Sequence, residues 1–195
     1  MKNNLIFATY NVHKVIEVNK MLPDFNLLSL SDIQYNEDIE ETGNTFHENA
    51  EIKANTIFKT VNKSLFADDS GLVIPSLGGE PGIYSARYAG TGDSADNIQK
   101  VLSKLNNTED RRAYFICIIC LILEEGEKHF FEGKIHGEIL YDIEGENGFG
   151  YDPIFKPLGY DQSFAKISGD LKNKISHRAI AIRQMNEFLK NKLLK

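Results

Sequence analysis

Apolar positions recur along this chain with the two periods of helix and strand. Residues 5–8, Leu-Ile-Phe-Ala, form a short apolar run that predicts a strand. Over residues 11–22, Val12, Val15, Ile16, Val18 and Leu22 give the broad apolar face of a helix, and Pro23-Asp24 ends it. Residues 27–30 predict a second strand. Residues 45–62 predict a long helix: Thr45 and Glu48 have capping-box spacing, and Phe46, Ala50, Ile57 and Val61 make its stripe. Lys53 falls on that stripe, either snorkelling to solvent or aimed at a ligand. Short strands are expected near 64–68 and 71–75. A helix follows over 93–105, with Asp93 or Ser94 as cap and Ile98, Val101, Leu102 and Leu105 inward. Residues 114–123 are apolar on both faces and predict a central strand. Residues 128–140 alternate and predict its antiparallel partner. Residues 145–161 are loop-like, and 176–189 predict the last helix, with Ser176 as N-cap. No repeat, low-complexity tract or linker interrupts the 195 residues.

That length suits one large domain or two closely joined lobes. The net charge of −6 offers no basic surface for a nucleic acid polymer, although a few local cations suffice for a nucleotide. The longest apolar run, 114–123, is ten residues, well short of the roughly 20 that span a bilayer, so no membrane segment is expected. The opening Met1-Lys-Asn-Asn is unlike a secretory signal, and the expected location is cytoplasmic. Cys117 and Cys120 form a C-x-x-C, but residues three apart on a strand face opposite ways and no second pair exists, so both are expected in the core.

Candidate chemistry concentrates in a few segments. In A-D-D-S-G-L (67–72), Asp68 and Asp69 close an apolar run, and carboxylate oxygens are the ligands Mg²⁺ prefers. F-A-T-Y-N-V-H-K (7–14) is a strand-to-helix turn whose free N–H groups favour an anion, with Thr9, Asn11 and Lys14 adding polarity and charge. Taken alone it is equally a plain turn capped by Asn11. E-E-T-G-N-T-F-H-E-N-A-E-I-K-A (40–54) joins an acidic turn to a helix face bearing Asn49 and Lys53. In G-F-G-Y-D-P-I-F (148–155), Phe149 or Tyr151 offers a stacking face and Asp152 an acceptor for a base. Ser176-His177-Arg178 puts two donors at a helix start, preceded by Lys166, Lys172 and Lys174.

Together with G-G-E-P-G-I-Y-S-A-R-Y-A-G (78–90), which is expected to line a cleft wall, these motifs in this order resemble the Ham1/RdgB family of inosine triphosphate pyrophosphatases. The resemblance covers residues 7–179. It implies a mixed α/β fold: a single two-lobed domain over 1–195, with a long bent central sheet flanked by helices and a nucleotide cleft between lobes. It implies Mg²⁺-dependent hydrolysis of ITP, dITP, XTP and dXTP to monophosphate and pyrophosphate, and a homodimer. The substrate turn would be Thr9, Tyr10, Asn11, Val12, His13 and Lys14. Glu40, with Glu41 adjacent, and Asp69 would hold metal, and Asp69 would be the catalytic acid–base group. Lys53 and Ser70 would meet substrate. Phe149, Gly150, Tyr151 and Asp152 would recognise the base, Lys172 would contact substrate, and His177 and Arg178 would donate to the purine 6-oxo group. Asp68 is expected to point away from Asp69 and to play a supporting part. One departure stands out: the family usually has glycine where this chain has Tyr10. Pyrophosphate release from other modified nucleotides, a Mg²⁺-dependent phosphatase releasing orthophosphate, and nucleotide binding without turnover are the competing readings.

Overall fold

The computed structural model describes residues 2–193. Six strands form one mixed sheet in the order β2-β1-β3-β4-β5-β6. β1 (Asn3–Phe7) pairs in parallel with β2 (Phe25–Ser29) and with β3 (Leu65–Val73), while β5 (Lys128–Ile139) pairs antiparallel with β6 (Phe155–Pro157). β4 (Arg112–Ile122) is interior and buried along nearly its whole length, as its unbroken apolar run requires. Cys117 and Cys120 lie within it, both buried and neither in a disulfide, and burial pushes the Cys120 thiol up to about 12.

Helix α1 (Val12–Met21) begins where the Asn11 side chain accepts the Lys14 N–H. Its expected broad face is narrower in the structure: Val18 and Leu22 are buried, but Val12 and Ile16 are exposed. The α2 helix (Phe46–Val61) is capped by Thr45, whose hydroxyl accepts the Glu48 N–H, while the Glu48 carboxylate takes the Asn44 N–H. α3 (Ser94–Lys104) is capped by Asp93. A short α4 (Gly169–Ile175), capped by Ser168, lies in a stretch where the sequence predicts no helix, and α5 (His177–Leu193) runs past the expected end at 189. The two short strands expected near 64–68 and 71–75 are instead one strand, β3, which passes through both aspartates.

The described residues divide into two compact units. Unit 1 holds residues up to Asp69, then Cys117–Gly133, and the chain from Arg178 onward. Unit 2 holds Ser70–Ile116 and Lys134–His177. Each has its own core. In unit 1, Leu5, Phe7, Val18, Leu22, Phe66, Ile119 and Met185 pack together, with Phe7 and Phe66 stacked at 4.4 Å. In unit 2, Leu72, Ile98, Phe115, Ile154, Phe155 and Phe164 do so. Among the described residues no helix is long and apolar enough to cross a membrane.

Candidate active site

Consecutive residues on a strand point to opposite faces, and the adjacent carboxylates on β3 follow that rule. Asp68 takes Lys14 Nζ at 2.7 Å and Arg178 Nε at 3.3 Å, so it is served by α1 and α5. Asp69 takes Lys53 Nζ at 3.4 Å and the Asn49 side-chain amide at 3.3 Å, both from α2. Asp68 thus points away from Asp69, to a different set of partners.

The electrostatics of the two differ in sign. Burial works to raise the Asp68 carboxyl, but Lys14, then Arg178 and Lys53, overcome it and hold the group well below the usual carboxylate range. Burial also raises Asp69, with Glu41 and Asp68 pushing the same way. Lys53 and Lys14 do not fully offset them, so Asp69 lies above its ordinary value. A carboxylate so crowded by negative charge is suited to accept a proton or to sit beside an added cation.

Lys53 occupies the centre of this cluster. Its Nζ also meets Glu41 Oε1 at 2.8 Å, and its side chain is only 12% exposed. Snorkelling to solvent therefore does not explain its place on the apolar stripe. Burial lowers the ammonium, but Asp69, Asp68 and Glu41 together raise it above its ordinary value, so it stays charged. The structure brings Glu41, and not Glu40, to Lys53; Glu40 is exposed. Asn49, fully buried on the same helix face, joins Asp69 to the acidic segment, since its side-chain oxygen accepts the Gly43 N–H at 2.8 Å. A Cβ at Gly43 would come within 2.6 Å of that oxygen, so the close approach needs glycine there. The sequence places Asn49 beside Lys53 on a helix face and Glu41 next to Glu40, but assigns neither a role of its own. The signal for Asn49 is its four-residue spacing from Lys53, which puts both on one helix face.

The turn expected to hold substrate lies at the start of α1. Thr9 Oγ1 accepts the Asn11 N–H at 3.1 Å, and Tyr10, Asn11, Val12 and His13 are all exposed. Tyr10 has no left-handed backbone; among the described non-glycine residues only Gln34 and Asn62 do. Lys14, expected on phosphate, is here engaged by Asp68. Arg178, expected at a base edge, is 2% exposed, and its NH1 donates to Glu17 at 2.7 Å while Nε and NH2 reach Asp68.

In unit 2, Phe149, Asp152 and Lys172 come together. Asp152, buried, accepts Lys172 Nζ at 2.6 Å and the Phe149 N–H at 2.9 Å. The Lys172 ammonium lies 4.6 Å from the Phe149 ring centre. Lys172 is buried, whereas Lys166 and Lys174 are exposed, which separates it from its neighbours. Tyr151 is buried and donates to Ser85 O at 2.9 Å, so of the two aromatics Phe149 is the one with an accessible face. Gly150 has φ +60°, and Ser70 follows Asp69 on β3, half-buried. His177 stacks on Phe115 at 4.8 Å with the rings nearly parallel.

Unit 1 thus holds a carboxylate raised by burial, a half-buried lysine between two acids and an exposed helix-start turn, and unit 2 holds an aromatic beside a cation. A model of the Ham1 family matches residues 5–188. A dITP/XTP pyrophosphatase of Christiangramia forsetii is 49% identical over 187 residues, covering 95% of this chain and 98% of that protein. The Staphylococcus aureus dITP/XTP pyrophosphatase is 45% identical over 186 residues, 95% of each. The solved structure of the Staphylococcus aureus Ham1 protein superposes with a TM-score of 0.89 at 43% identity, covering 97% of this chain and all (100%) of that one. With family match, identity and fold agreeing over nearly its whole length, this chain belongs to the Ham1 family.

Proposed function

We propose that this protein hydrolyses non-canonical purine nucleoside triphosphates, dITP and XTP among them, to the monophosphate and pyrophosphate, and so clears them from the nucleotide pool. Membership of a family whose relatives carry that activity in their names supports the reaction class. The observation that carries the chemistry is the Asp69–Lys53–Glu41 cluster.

In this reading Asp69 receives the proton of the attacking water. The water oxygen bonds to the α-phosphorus, the α–β bridging bond breaks, and pyrophosphate leaves. Lys53 takes up charge developing on the phosphate oxygens, and the exposed N–H groups of the Thr9–Lys14 turn hold the triphosphate. Lys14 neutralises Asp68 until a phosphate competes for it. Phe149 offers its ring to the base, with Asp152 and Lys172 bracing the segment. His177 is assigned the purine 6-oxo oxygen, where an amino group in adenine would place donor against donor. Arg178 acts through Asp68, which it holds.

Mg²⁺ fits this donor set. Among the described residues no three or more His, Cys, Asp or Glu side chains gather to hold a metal unaided. Magnesium commonly takes one or two carboxylates and fills its remaining positions with water and phosphate oxygens. Asp69 and Glu41, with Glu40 adjacent, would hold it, and when bound it supplies Lewis-acid polarisation of the phosphates. A cytoplasmic homodimer completes the proposal.

The test is incubation with ITP, XTP, GTP, dTTP and ATP, with and without Mg²⁺, and identification of products. Pyrophosphate from ITP and XTP, with Mg²⁺ required and ATP turned over at least about tenfold more slowly, is expected from the cost of one unmatched buried polar group. Orthophosphate as the first product would refute the reaction, and equal rates on all five would refute the specificity.

A further inference from the structure

Between β2 and α2 the chain carries Asp32, Glu37, Asp38, Glu40 and Glu41 with no lysine or arginine among residues 31–45. Residues 35–43 have no regular structure. Five carboxylates so close repel one another, and no helix or ladder fixes the backbone that bears them. Yet this segment delivers Glu41 to Lys53.

It is tied at each end. The Asp32 carboxylate accepts the Ser29 N–H and hydroxyl, and at the other end Asn49 and Glu48 accept the Gly43 and Asn44 N–H groups. Between those ties the phenol of Tyr10 lies 2.9 Å from Tyr35 O and 3.0 Å from Glu37 O. One hydroxyl proton serves two carbonyls of the acidic segment. Tyr10 is 45% exposed, so core packing does not account for its side chain. Burial, then Asp38 and Glu37, push its phenol up, so it remains a donor. The backbone of Tyr10 is not left-handed, so the turn has no need of a glycine at this position.

We propose that Tyr10 is a positioning residue: its hydroxyl fastens the acidic segment to the phosphate turn, so that Glu41 stands beside Lys53 before a triphosphate arrives. The inference rests on the reading of this site as a triphosphate site. Without the tie, binding must also order the segment, so the cost falls on affinity and not on the bond-breaking step.

The test compares the full chain with Tyr10→Phe, which keeps the ring, and Tyr10→Gly, which removes both ring and hydroxyl. For both variants, backbone amides of residues 35–43 should exchange with solvent faster while those of β1 and β4 are unchanged. KM for ITP should rise about three- to tenfold, the scale of one lost hydrogen bond, with kcat within about twofold. Wild-type exchange at 35–43 in Tyr10→Phe overturns the proposal. So does a fall in kcat at unchanged KM, which would put Tyr10 in the chemical step. If the wild-type protein does not hydrolyse ITP, the functional reading fails on its own, and the exchange comparison still decides whether Tyr10 holds the segment.

Discussion

Asp68 gives its carboxylate to Lys14 and Arg178, whereas Asp69, one residue on, shares Lys53 with a second acid. The consequences for stability are opposite. Asp68→Asn leaves a guanidinium that is 2% exposed facing a neutral partner, with Glu17 the remaining counter-charge on its NH1. Breaking a buried pair in this way costs about 3–5 kcal/mol, so urea unfolding should show a clear fall in midpoint. Asp69→Asn removes a charge that burial, Glu41 and Asp68 all disfavour, and asparagine keeps an oxygen for the Asn49 amide. It should leave the midpoint unchanged or raise it while lowering kcat on ITP by at least about 100-fold, the usual scale for a lost general base. A destabilised but active Asp69→Asn would reverse the assignment of the pair. Lys53 was legible in the sequence because it broke an apolar stripe. Glu41 was not distinguishable from Glu40, because an irregular segment has no period to say which way a side chain points. The partnership of Arg178 with Asp68 and Glu17 spans 110 and 161 residues of chain, beyond any local pattern.

Elements with a strong local rule appear where periodicity and caps put them. Asn11, Thr45 and Asp93 start α1, α2 and α3, and β4 lies inside the sheet. The misses have tertiary causes. Aspartate is depleted in strands, so a run ending at Asp68-Asp69 predicts a break, but partners from α1, α2 and α5 let β3 continue through both. α4 is only seven residues, too short for a periodic signal, and it is fixed by the Ser168 cap and by Lys172 reaching Asp152. That reach depends on a neighbouring turn. Gly148 has φ +79°, and a Cβ there would collide with the Asp152 carboxylate. Gly148→Ala therefore strains the backbone by about 1–2 kcal/mol and pushes Asp152 off Lys172 and the Phe149 N–H. It should lower the urea midpoint and raise KM for ITP through the displaced Phe149. An unchanged KM at reduced stability would separate this turn from substrate binding.

At the scale of the molecule, each unit has its own apolar core, and the titrating groups bear on the two unequally. In unit 2, Glu80 and Asp110 are lowered by local partners, as are Asp32, Glu51 and Glu127 in unit 1, but these lie at or near the surface, where ion pairs contribute little. Asp68, buried in unit 1, is the large contributor. Its folded value is below the ordinary 3.8, so its stabilisation is complete above that value. Below 3.8 the unfolded chain takes up a proton that the folded chain refuses, and stability falls. Asp69 has the other sign. Its folded value is above 3.8, so on acidification the folded chain binds a proton first, and the folded state gains before Asp68 begins to cost. Urea midpoints taken from pH 7 downward should therefore hold or rise slightly towards pH 4 and then drop, with amides of β1, α1 and α5 losing exchange protection before those of β6 and α3. Asp68→Asn should flatten the acid drop and Asp69→Asn should remove the preceding rise. Simultaneous loss of protection in both units, or an acid drop unchanged in Asp68→Asn, would show that the Lys14–Asp68–Arg178 network does not set the acid limit of this fold.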